Sequence, residues 1–496
     1  MTIHKGVKAN PSAHRTGRCT PFLAIPLSFA LASSATAATK TWNTTTGSLS
    51  ASGSWSATGT PVTTDETLFD GTVTPAASIN TAAGTNLSFG NLIWNNNSSS
   101  VLQMNTIGVT STQLRLSGGG GSTAAIAAGG AAGDLLVIGT NATNNTLTIS
   151  DVNPLGGVSL RLRLDASGNF NVVNSGATLS IQTILSQSGT QSLTKTGAGT
   201  LLLGSANSYT GGTTLTAGTL ALGSSSALSS GSLTINGGRL ASSVSARTLT
   251  NVVTVGGNFT LGGLSNSITL NGTMDLGGTT RTITLDNSAT IGGTISNGGL
   301  TLSSSTSART LTLNSSHTYF GATLVTSGTL LVNGALANSS SVSVSSQGTI
   351  GGNGSIANSL TVDDGAFLQP GNTPAAVGSL ATGSLTVNGT YLATLTANGV
   401  NDFLNITGTA NFAGTIAPVL FGYAPVANDA FNLADWTGTF SGTPSFDYSG
   451  ATLDDGLAWD SSSFASDGTL RVVAIPEPAN ALLASLGLLA LLRRRI

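Results

Sequence analysis

Self-similarity constrains this chain before any single motif does. Tyr209 to Leu220 reads YTGGTTLTAGTL and Tyr319 to Leu330 reads YFGATLVTSGTL, with seven of twelve positions identical at an offset of 110. Upstream, Gly199-Thr200-Leu201-Leu202-Leu203 aligns with Arg309-Thr310-Leu311-Thr312-Leu313 at the same offset. A shorter apolar-x-apolar-Asn-Gly unit recurs at Leu233 to Gly237, Ile268 to Gly272, Leu330 to Gly334 and Leu385 to Gly389. Each copy reads as a short strand entering a tight turn, because Asn-Gly supplies the positive φ that such turns need. Strand identity follows from period-two alternation, with Leu160, Leu162 and Leu164 facing one way and Arg161, Arg163 and Asp165 the other. No stretch between residues 40 and 470 keeps a helical period with caps, so little helix is expected. Strand-turn units that drift without domain punctuation suit a stacked solenoid better than antiparallel sandwich modules.

Composition agrees. Only 7% of the 496 residues are charged, against a norm of about 25%, which excludes most ordinary cytosolic enzymes. The 65 glycines follow no three-residue period and only 13 prolines are present, excluding a collagen helix or a proline-rich stalk. Stacked rungs bury a continuous apolar core while Thr, Ser and Asn ladder outside, so neither charge nor disulfides are required. At roughly 20 to 25 residues per turn the body would hold about 15 to 19 rungs.

Both ends carry targeting patterns. A basic region (Lys5, Lys8, Arg15, Arg18), the apolar stretch Phe22 to Ala32 and the small-residue site Ala35-Thr36-Ala37 have the layout of a secretory signal peptide. Cleavage after Ala37 would leave Ala38 first and would remove Cys19, His4 and His14, so that His317 is the only histidine remaining. The other end reads Pro476-Glu477-Pro478, then fourteen uncharged residues from Ala479 to Leu492, then Arg493, Arg494 and Arg495. Fourteen residues of helix span roughly 21 Å, short of a hydrocarbon core of about 30 Å. The terminal position and the arginine cluster nevertheless favour a single C-terminal transmembrane helix with its basic end inside. The three parts in order resemble a PEP-CTERM protein-sorting signal. That resemblance implies export through the secretion translocon, transient inner-membrane anchoring and recognition by an exosortase-type sorting protease. It further implies delivery to the cell surface, outer membrane or extracellular matrix of a biofilm-forming bacterium.

In the body, Thr194-Lys195-x-Gly197-x-Gly199-Thr200-Leu201, followed by Asn207-x-Tyr209-Thr210-Gly211-Gly212-Thr213-Thr214, resembles the autotransporter-associated β-strand repeat, also called the passenger-associated transport repeat. The copy around Tyr319 is degenerate, with Ala322 where a second Gly is usual. The resemblance implies an all-β right-handed parallel β-helix. The expected organisation is a signal peptide over 1–37 and a β-helix over 38–362, clearest in its repeats at 193–220 and 309–334. An acidic C-terminal β cap over 363–474 and a sorting and anchor segment over 475–496 follow. The segment Asp363 to Asp467 holds ten Asp and no Lys or Arg, and Phe421, Tyr423, Phe431, Trp436 and Phe440 crowd there. Trp42 and Trp55 are expected to cap the other end of the core.

The search for chemistry returns little. The chain has no GxxxxGK[ST], HExxH or CxxC, and His317 has no histidine partner for a metal site or triad. Its position next to a turn reads as exposed. Outside the two terminal signals ten Lys and Arg face an excess of acids, so nucleic acid is not an expected partner. Arg161 and Arg163 form a charged outer face to which an acidic glycan could bind, although a solvated face is the commoner meaning of such a set. Asp363-Asp364 and Asp454-Asp455 offer the oxygens Ca²⁺ takes, but without a DxDxDG or GGxGxD loop, so no cofactor is expected and Ca²⁺ is the one ion left open. The leading expectation is a non-enzymatic adhesive or structural protein meeting extracellular polysaccharide or neighbouring cells. A β-helical polysaccharide lyase or hydrolase is the alternative, and it would need a carboxylate pair or a cation-assisted base. Between residues 166 and 362 only Asp275 and Asp286 are acidic. A conventional autotransporter would carry a C-terminal translocator barrel, where this chain reads RRRI.

Overall fold

The computed structural model describes residues 39–42, 55–56, 60–62, 65–70, 78–79, 86–97, 100–104, 113–118, 127–132, 134–151, 161–264, 266–306 and 308–475. The signal-cleavage residues Ala35, Ala37 and Ala38 lie outside them, as do the sorting residues Pro476, Glu477, Pro478, Arg493, Arg494 and Arg495. The apolar run expected to cross the membrane is likewise outside. Among the described residues no helix is long and apolar enough to do so.

The chain winds as a parallel β-solenoid with three faces. Gly168–Val172, Thr178–Ile181 and Ile184–Gln187 take the first, second and third faces of one turn. The next turn then starts at Leu193–Thr196, hydrogen-bonded in parallel onto Gly168–Val172. Gly168 pairs with Leu193 and Leu193 with Thr213, a return to the same face every 20 to 25 residues. The first face is an 11-stranded ladder from Thr39–Thr41 to Ile295–Ser296. The third face holds a ladder of four strands ending at Ile184–Gln187 and a later one whose main path has ten, from Arg247–Leu249 to Ser445–Phe446. About 14 turns therefore carry a strand on that face. The count is lower than length alone suggests because the stretch between the two ladders leaves the third face without a strand.

Alternation decides what each strand buries. In Thr200–Leu203, Leu201 and Leu203 are buried while Thr200 and Leu202 lie outward. Register then stacks like on like: inside the second face Leu147, Leu179, Leu201, Leu220 and Leu240 form one column. Outside the first face Thr194, Thr214, Thr234 and Thr254 form another. Each fully buried Leu contributes about 1.5–3 kcal/mol relative to exposure, and the outward threonines suit the pleat through their β-branch.

Aromatic residues close both ends. Trp42, paired with Trp55 by an antiparallel bridge, stacks edge-on to it at 5.2 Å, with Phe69 and then Trp94 beneath. At the other end the ladders cross residue 363 without a break, since Thr349 pairs with Phe367 and Phe367 with Thr390. The antiparallel part is a three-stranded sheet of Ala430–Asn432, Leu457–Asp460 and Thr469–Ala474, preceded at its last strand by the single-turn helix Phe464–Asp467.

Candidate functional site

The repeated motif has a definite geometry. Its first copy runs from the first-face strand Leu193–Thr196 and the second-face strand Thr200–Leu203, through a loop, to Thr213–Leu215 and Thr219–Leu222. The loop occupies the third face, where a strand would otherwise lie. Tyr209 folds inward there, fully buried, and its hydroxyl meets Thr213 Oγ1 at 2.6 Å. Asn207 replaces the missing ladder: its Oδ1 accepts the Leu185 N–H of the turn before at 2.8 Å, and its Nδ2 donates to Ala227 O of the turn after at 2.6 Å. Backbone groups the loop cannot pair are thus satisfied by a side chain.

The second copy repeats this arrangement one face further round. Thr310–Leu313 lies on the third face and Thr323–Val325 on the second, whereas their counterparts Thr200–Leu203 and Thr213–Leu215 lie on the second and first. The offset of 110 residues is therefore not a whole number of turns. Tyr319 is buried with its hydroxyl 2.7 Å from Thr323 Oγ1. Burial raises both phenols, that of Tyr319 to about 12, against the smaller lowering from the threonine hydrogen bonds. Tyr209→Phe is expected to cost about 1–3 kcal/mol by leaving the buried Thr213 hydroxyl unpaired. Thermal melts of the wild type, Tyr209→Phe and the double variant with Thr213→Val measure that coupling, which vanishes if the pair is incidental.

His317 corrects the reading of an exposed turn residue. It is fully buried and stands at the position of Asn207, where its Nδ1 accepts the Ile295 N–H at 3.0 Å. Burial lowers its pKa to about 4, so the ring is neutral at pH 7, carries its proton on Nε2 and offers no general base to solvent. The signal was available in the alignment, because His317 lies 110 residues after Asn207.

Lys195 is the second surprise. It points into the core column between Phe170 and Leu215, with no exposed surface. Its Nζ donates to the carbonyls of Thr196 at 2.5 Å, Gly197 at 2.8 Å and Ala217 at 3.2 Å. Burial pushes the amine down to about 7. The motif glycines make the corner possible: Gly197 and Gly218 have φ of +73° and +67°. A Cβ on Gly197 would run into Val172 O, and one on Gly218 into Gly197 O.

The charged candidates are drawn into structure. Arg163 stacks over Arg115 in register, and both bracket Asp165, each with its Nε 2.7 Å from a carboxylate oxygen. Arg163 also donates to Gln113 Oε1 at 3.2 Å, while Arg161 is exposed. Arg115 was not singled out in the sequence, being 50 residues from Asp165. Asp286 pairs with Arg239, and Asp275 accepts from Gly277 N–H at 2.7 Å and Asn297 Nδ2 at 2.9 Å. Those two acids belong to different faces and do not form a pair. Among the described residues no group of three His, Cys, Asp or Glu is placed to hold a metal ion.

Comparison with known proteins adds two matches. No curated protein matches the chain. Among solved structures, the crystal structure of the Haemophilus influenzae Hap adhesin is similar at 13% identity with a TM-score of 0.26, over 83% of this chain and 61% of that one. This chain thus spans less than two thirds of that adhesin chain. The family model for the passenger-associated-transport-repeat matches residues 193–222 and 306–332, the two segments in which the buried Tyr–Thr pair recurs. The chain carries passenger-associated transport repeats.

Proposed function

We propose that the chain is an exported, non-enzymatic surface or matrix protein, adhesive or structural, in which a right-handed β-helical rod presents polar ladders to exopolysaccharide or neighbouring cells. The single observation that carries this reading is the pair of transport-repeat segments built into a solenoid with an outward row of uncharged threonines on its first face. The commitment of Asp275 and Asp286 to local contacts supports it over the lyase or hydrolase alternative. Sorting would run through Pro476, Glu477, Pro478 and the arginines Arg493, Arg494 and Arg495, read by an exosortase-type protease after export by the translocon.

Intact mass and C-terminal peptide mapping of the protein from its native envelope and medium test the proposal. The expected product begins near Ala38, ends near Pro476 to Pro478 and is found outside the inner membrane. A chain retaining Ile496 and confined to the inner membrane would remove the sorting arm. Release of unsaturated or reducing sugar ends by the purified body would replace the structural role with an enzymatic one.

A further inference from the structure

The third face holds a groove whose floor is built partly from the second repeat copy. Its floor is the outward row Thr310, Thr329, Thr349, which pair in register across three successive turns, with Leu331 beside them. Its wall is the loop after Phe367–Pro370, with Asn372 and Pro374 among the lining residues, and Gln369 stands in the row of Leu331 two turns on. The enclosed space is about 200 Å³, room for one sugar ring. Phe367 continues the threonine row as the next residue after Thr349, and 38% of its surface is exposed.

The wall is held before any ligand arrives. Gly352 and Gly371 exchange two backbone hydrogen bonds, of 2.9 and 3.0 Å, at its base. Further along, Thr394 Oγ1 donates to Pro374 O at 3.0 Å. The buried Asp402 carboxylate accepts from Gly378 N–H at 2.7 Å and from Thr394 N–H at 2.9 Å. A positioned wall lowers the ordering cost of binding.

We propose that this groove binds a neutral glycan chain, lying along the solenoid axis with one ring under the loop and the next against Phe367. The inference rests on the surface-protein reading above and deepens it. The lining offers hydroxyls and amides, which match sugar hydroxyls, together with Leu331 and Pro374 for the apolar face of a ring. No lining residue is ionisable, so uronates and phosphates find no counter-charge there. Strand addition by a peptide needs an open sheet edge, and this groove lies on the face of a ladder whose backbone is already paired.

The test uses the mature chain with neutral hexasaccharides (cello-, laminari- and malto-hexaose) and a mannuronate hexasaccharide, followed by calorimetry and saturation-transfer NMR. At least one neutral probe is expected to bind, with the uronate at least tenfold weaker. Thr329→Asp is expected to weaken the neutral probe at least tenfold and Phe367→Ala several-fold. Asn372→Ala, on the loop alone, provides a groove variant that leaves the ladder untouched if Thr329→Asp perturbs folding. Ser245→Asp, in the exposed bend before Arg247–Leu249 and outside both the groove and the threonine row, is expected to leave binding unchanged. Equal binding of the uronate, or no binding of any neutral probe at millimolar concentration, overturns the proposal. Loss of binding in Ser245→Asp equal to that in Thr329→Asp would overturn the groove while leaving the surface role standing. Failure of the surface role itself is read separately, from the location of the native protein.

Discussion

Replacing Lys195 by alanine is expected to cost about 3–5 kcal/mol, the range seen when a long buried side chain is truncated and its polar partners are stranded. Two losses combine. The stem fills the core column between Phe170 and Leu215, and the ammonium serves three carbonyls, two in its own turn and Ala217 O in the next. Because a solenoid can open turn by turn, hydrogen exchange at residues 196–200 and 217–220 is the sharper readout than a global melt. Lys195→Met keeps most of the volume and removes only the donors, so it should cost less than half as much. Equal costs for the two would mean that the carbonyl contacts, not the packing, dominate.

The same residue gives the fold a pH dependence with a defined sign. Burial lowers its pKa from an ordinary 10.5 to about 7, so between those values the unfolded chain binds more protons. Stability from this site is therefore complete above 10.5 and is lost as pH falls through about 7. The difference between wild type and Lys195→Met should rise across that window and be flat below it. Two other buried groups act at lower pH. His317, lowered to about 4, favours the folded state as pH rises from 4 towards 6.5. Asp402, raised to about 6 by burial against its backbone hydrogen bonds, has the opposite slope between 3.8 and 6. Both are shared by wild type and variant, so they cancel in the difference. Parallel curves above pH 7 would show that the carbonyls hold the ammonium charged throughout.

What the sequence reveals and what it hides follow from the range of the interactions. Strand and turn are local: Leu201 and Leu203 alternate with Thr200 and Leu202, and the buried pattern is the one the alternation implies. The repeat is legible too, since the Tyr–Thr spacing recurs, but its rotation by one face is not. That depends on how many residues each intervening turn spends at its corners. Residue type alone argues for an outward Lys195, because Lys is seldom fully buried without partners. Yet Lys195 lies two residues from the buried Leu193, on the inward side of the same strand, and strict alternation places it inside. The Arg115–Asp165–Arg163 cluster was hidden for a different reason. It forms only when turns 50 residues apart come into register.

Phe464→Ala is expected to have the largest effect at the C-terminal end, about 3–5 kcal/mol for a buried aromatic removed from a packed site. Phe464 is the hub of the closing layer. Its ring lies 5.4 Å from Phe412, 5.6 Å from Phe446, 6.2 Å from Phe440 and 6.4 Å from Trp436. It is presented by a single-turn helix that ends at Gly468, whose φ of +69° lets the chain turn into Thr469–Ala474. The strands beneath, Phe440–Ser441 and Ser445–Phe446, are the last in their ladders. Loosening the layer above them uncovers unpaired backbone groups, a template for pairing with another chain. The variant should therefore lose protection in residues 434–475 first, show protease cleavage there, and self-associate at concentrations where wild type is monodisperse. A core substitution of similar size in mid-solenoid, Leu261→Ala, should lower stability without that association, because its strand is paired on both sides. If both variants associate equally, global destabilisation is the cause, and the aromatic layer is ordinary core rather than protection for the open end.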